Sequence, residues 1–125
     1  MKLIELEPQF IRHEIRPCHV GAEGCSTISE HTQHVFHVYV DTLAEAQGIF
    51  FLCPKDFELN KGPIGTHGII CWFLDRGVPT DAEPLPGRWA VSGSSYEDLT
   101  LSPSVLTTEG CGWHGFITGG AVTSC

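Results

Sequence analysis

The chain has little positive charge and no long apolar run. Only 7 Lys and Arg stand against 15 Asp and Glu in 125 residues, a formal charge of −8 at pH 7. A nucleic-acid backbone would be repelled unless the cations were gathered on one face, and the sequence shows no such gathering. The segment Lys2-Leu3-Ile4-Glu5-Leu6-Glu7 has acids where a secretory signal needs its apolar stretch. Nothing approaches the roughly 20 apolar residues of a membrane span. These absences predict a soluble, cytoplasmic protein whose partners include neither nucleic acid nor membrane. Several catalytic signatures are missing too. There is no Gly-x-Ser-x-Gly elbow, and Gly62-Pro63-Ile64-Gly65-Thr66-His67-Gly68 lacks the Lys-Ser/Thr pair of a phosphate-binding loop. His13-Glu14 runs into Ile15-Arg16-Pro17, which excludes a His-Glu-x-x-His helix, and neither box of a zinc deaminase occurs.

What is present is turn chemistry and short apolar segments. The 14 Gly and 8 Pro are spread along the chain, which favours many turns over long helices. The expected fold is mainly β, built of short strands and hairpins in a single small domain over residues 1–125. Strands are expected around Pro8 (2–7 and 10–15), at 34–41, 49–52, 69–74, 88–92 and 99–106, the last carrying Pro103 at an edge or bulge. Residues 16–33 and 75–87 read as loops, the second a surface loop with little to bury. A short helix is expected near 42–48, where Asp41 or Thr42 can cap and Gly48 can stop it. Gly119-Gly120 between 115–118 and 121–123 has the residues of a two-residue hairpin turn.

Six cysteines without a secretory signal read as reduced thiols or metal ligands rather than a disulfide framework. The best ligand pair is Cys111-Gly112-Trp113-His114, and its partner is Cys53-Pro54-Lys55-Asp56. Two separated x2 spacings at turns suggest a zinc-knuckle-like site of Cys53, Asp56, Cys111 and His114, with Cys71 or His67 as replacement ligands if Asp56 does not bind. Four protein ligands would close the ion, whereas three and a water would leave it open to chemistry. The same residues also fit small buried thiols, a turn-forming acid and an ordinary histidine. Cys111 to Gly115 resembles the second box of a Rieske centre, but the first box is missing. His31, His34 and His37, with Cys18, His19 and Cys25 before them, make a second metal site conceivable, although solvated histidines explain them as well. Trp72, Trp89 and Trp113 sit in or beside apolar strands and suit core packing. For nucleophilic catalysis the candidates are Ser102 or Ser104 in Leu-Ser-Pro-Ser-Val, and any reactive cysteine with His67 or His114; a nucleophile needs a base within hydrogen-bond reach. A bulged strand explains the same Ser-Pro-Ser.

With Phe-Phe-Leu-Cys-Pro, Gly-Ile-Ile-Cys-Trp-Phe, Leu-Thr-Leu-Ser-Pro-Ser-Val-Leu and Cys-Gly-Trp-His-Gly-Phe-Ile-Thr in view, the chain resembles a family of small proteins from tailed phages, prophages and bacteria. The resemblance implies Cys-x2-Cys with Cys-x2-His as metal ligands, here Cys53, Cys111 and His114, with Asp56 where relatives carry a second cysteine. It implies no activity; some relatives are labelled ammonia monooxygenase, a membrane copper enzyme that this chain cannot match. The leading expectation is therefore a phage or prophage accessory protein in the host cytoplasm, with no catalytic residue. A structural zinc would hold the fold while an exposed face binds a host or phage protein. One alternative is a small zinc-dependent hydrolase with an open metal position. Another is a metal-free acidic inhibitor of a host defence complex.

Overall fold

The structure, a computed structural model, describes residues 1–17, 33–107 and 112–125. Its strands form three antiparallel sheets. The largest has the order β2-β1-β3-β4, with β1 Gln9–Pro17, β2 Gln33–Val40, β3 Gly48–Leu52 and β4 Gly68–Trp72. β5 (Ala90–Ser92) pairs with β6 (Thr100–Ser102), and β7 (Val105–Leu106), β8 (His114–Thr118) and β9 (Ala121–Ser124) make the third sheet. One helix, α1 (Pro54–Asn60), follows β3. The mainly β expectation is met.

Period-2 alternation sends Ile49, Phe51, Ile69 and Cys71 to one face of the large sheet, where they join Leu3, Leu6, Leu99, Trp113 and Ile117 in the main core. The other face carries Ile11 and Trp72, which pack with Ala82. The 75–87 segment thus does more than cross the surface: it covers Trp72, whose indole donates to the Glu83 carbonyl at 2.8 Å. Arg88 shapes this segment by donating to the carbonyls of Pro79, Ala82, Pro84 and Gly87 at 2.8–3.2 Å.

Three local expectations differ from the fold. Residues Leu3–Leu6 form a 3-10 turn instead of a strand; Leu3 and Leu6, three apart, are both buried, and Lys2 N–H donates to Glu5 Oε2 at 2.7 Å. Residues 42–48 make a hydrogen-bonded turn, because Ala46 N–H already closes on Leu43 O and Gly48 opens β3. The helix falls at Pro54–Asn60, where Pro54 occupies the first turn and needs no N–H partner.

His37 on β2 lies directly across from His13 on β1, and both rings stand edge-on to Trp72 at 5.5 and 5.7 Å. Burial lowers the His37 pKa, and the charge of His13 lowers it further. Below the ordinary imidazole value of about 6.5, the unfolded chain therefore binds more protons here than the folded one. Stability complete above that pH is expected to decline beneath it. Urea midpoints between pH 7.5 and 5.5 test this: His37→Gln should flatten the decline, and an unchanged slope would refute the assignment.

Candidate active site and a neighbouring ligand cluster

Alternation along β8 decides where its histidine points. Trp113, Gly115 and Ile117 are buried, whereas His114 and Phe116 face outward. Leu106 is the register partner of His114, and Ser104, two residues before Leu106, lies diagonally across on the same face. The result is a contact of 3.1 Å between Ser104 Oγ and His114 Nε2, within the reach required of a nucleophile and its base. Of the two serines in Leu-Ser-Pro-Ser-Val, Ser104 meets the imidazole; Ser102 ends β6, across from Ala90.

Both partners are held by backbone. Cys125 N–H donates to His114 O and Thr107 N–H to Trp113 O, each at 2.9 Å, while the buried Trp113 indole donates to Ser124 Oγ at 2.9 Å. On the other side Trp89 Nε1 donates to the Ser104 carbonyl at 3.2 Å. The 99–106 segment is split by Pro103, after a cis peptide bond, into β6 and β7. Ser104 leads directly into β7.

Ser104 lines a cleft of about 930 Å³. One wall comes from His67–Ile70 and the other from the Arg88-tethered segment, including Leu85, Pro86 and Trp89. Leu106 beside the pair is 56% exposed and Phe116 46%, so the outer face around His114 is apolar.

His67 also belongs to a second group. Cys53 caps α1 and Asp56 lies in its first turn, so the two stand one turn apart. His67 lies opposite Cys53 at the end of the β3–β4 ladder, where Cys53 N–H donates to His67 O at 2.8 Å. The ligand atoms of Cys53, Asp56 and His67 lie within 4.8 Å of one another, an arrangement that could hold a metal ion. His67 Nδ1 and Asp56 Oδ2 are 2.5 Å apart. Cys53 is buried and the other two are partly exposed.

Of the four ligands expected from sequence, this group contains Cys53 and Asp56, joined by the replacement His67. His114 is not part of it and contacts Ser104 instead. Cys71 is also outside it, fully buried in β4, where burial pushes its thiol pKa up. Cys111 lies outside the described residues, as do Cys18, His19, Cys25 and His31.

Residues 25–125 match the family model described as BubE, bacterial ubiquitination-like system serine protease. The chain belongs to the BubE family. Neither the curated proteins nor the solved structures yield a match. Membership corrects the expectation of a phage accessory protein that acts through protein contacts around a structural zinc. The family model is described as a serine protease; in this chain Ser104 Oγ meets His114 Nε2, and Ser104 lines the cleft. Among the described residues, no helix is long and apolar enough to cross a membrane.

Proposed function

We propose that this chain is a serine peptidase with Ser104 as nucleophile and His114 as general base. The observation that carries the reading is the 3.1 Å contact between Ser104 Oγ and His114 Nε2, with Ser104 on the cleft lining. As Oγ attacks a peptide carbonyl carbon, its proton passes to Nε2. The C–N bond then breaks, the departing amine takes that proton, and an ester on Ser104 is left for water to hydrolyse with the same base. The BubE description supports the reaction class.

A fluorophosphonate probe tests this without knowledge of the substrate, because it forms a covalent bond with an activated serine oxygen. Peptide mapping should place the label on Ser104, and His114→Ala should label far more slowly. Failure to label, or undiminished labelling of Ser104→Ala, would overturn the assignment.

A second reading, a zinc-dependent hydrolase, is favoured by the Cys53, Asp56 and His67 group. Thiolate, carboxylate and imidazole are all zinc donors, and three protein ligands leave a position free. A bound zinc would supply Lewis-acid polarisation of a carbonyl oxygen; the chain's own part is to hold the three donors at the helix cap, its first turn and the end of the ladder. Protein purified without added zinc is expected to carry about one equivalent, and Cys53→Ser and His67→Ala should lower affinity by roughly tenfold or more. Absence of stoichiometric metal would count against the site. Hydrolysis that survives Ser104→Ala but not chelation would favour this reading over the first.

A further inference from the structure

The register of β4 leaves part of its backbone without a partner inside the cleft. Cys53 N–H donates to His67 O and Phe73 N–H to Gln47 O, and the pairs Phe51 with Ile69 and Ile49 with Cys71 fall between them. In an antiparallel ladder, residues that exchange bonds with the neighbour alternate with residues whose N–H and C=O point away. The odd-numbered residues of β4 therefore bond to β3, and Gly68, Ile70 and Trp72 present their backbone groups to the opposite edge. Trp89 confirms the direction: its N–H donates to Trp72 O at 3.0 Å, and its carbonyl accepts from Leu74 N–H at 2.7 Å. The chain has already laid one residue of extended backbone, Trp89, along this edge. Two and four residues before Trp72, no described residue bonds to the outward groups of Ile70 and Gly68, and both line the cleft that holds Ser104.

We propose that the edge of β4 at Gly68 and Ile70 binds an extended peptide segment of the substrate as an added strand, continuing the pairing begun by Trp89 and leading the segment past Ser104. Backbone pairing of this kind supplies affinity with little demand on sequence, and alternate side chains select through the walls. Those walls include Leu85, Pro86, Trp89 and Leu106, so apolar side chains at alternate positions fit best. The cleavage that would follow rests on the peptidase reading above; the strand pairing does not.

The two are separated by measuring binding on the full-length Ser104→Ala protein and cleavage on the unaltered one. The probe for both is a pool of capped decapeptides without proline. Peptide-dependent amide exchange, followed by NMR, should show protection of the Gly68 and Ile70 N–H groups rising at least tenfold. Those of Ile69 and Cys71, already bonded to β3, should change little. Ile70→Pro removes an outward N–H without touching the β3 ladder and should weaken binding by about tenfold. If that variant fails to fold, the exchange pattern decides alone. Protection without cleavage would leave the strand site standing and remove the serine assignment. Cleavage without protection at Gly68 and Ile70 would overturn the strand site and spare the serine. Neither effect would overturn both, and protection that grows with protein concentration alone would assign the edge to a second copy of the chain.

Discussion

Replacing Ser104 by alanine is expected to cut covalent labelling and hydrolysis by roughly a thousandfold or more while leaving the fold intact. The fold should survive because the serine's structural duty is carried by its carbonyl, which accepts from Trp89 Nε1, and alanine keeps that carbonyl. The hydroxyl's contact is with His114, so its loss removes the nucleophile and little else. His114→Ala should cost a similar factor, and the double variant little more than either single one, because groups that act as a unit lose their effect together. Near-additive losses would mean that the two side chains do not work on the same step. Urea unfolding of each variant, read beside labelling rates, separates chemistry from stability.

Trp89→Ala is expected to destabilise the chain by about 3–5 kcal/mol, the usual cost of truncating a buried large aromatic. Trp89 is only 9% exposed and lies between the β4 edge and Ser104, bonded by its backbone to one and by its indole to the other. Trp89→Phe separates these duties. It keeps the backbone pairing and most of the packing, loses one hydrogen bond worth about 1 kcal/mol, and releases the carbonyl of Ser104. A positioning role predicts that this variant lowers the maximal labelling rate by several-fold with little change in the half-saturating probe concentration. Equal labelling rates in wild type and Trp89→Phe would reduce the indole to packing alone.

Several strands were legible from alternation or from short apolar runs. Residues 34–41, 49–52 and 69–74 alternate or run apolar, and the Gly119-Gly120 pair supplies the positive φ that its hairpin turn takes, 56° and 79°. Leu3 and Leu6 were misread because Leu-Ile-x-Leu satisfies a period of 2 and a period of 3 equally well over four residues. The helix at Pro54–Asn60 carried a usable signal, proline at its start and Asp56 in its first turn, which metal-ligand spacing overshadowed. Ser104 and His114 were each visible as candidate types, but their meeting depends on the β7–β8 register, and spacing along a chain does not encode a diagonal across two strands. His67 is similar: it reaches Cys53 through the β3–β4 ladder, so only strand pairing makes it a neighbour. The cleft was least legible, since its second wall is shaped by Arg88 gripping four carbonyls, contacts without periodicity.

At residue 68 a methyl group would collide with the phenyl ring of Phe50, which already fills the place where a side chain would stand. The rim of the sheet is therefore bare at that position through tight filling from beneath. Access for an incoming backbone and packing on the second face of the sheet meet there in one half-buried aromatic ring.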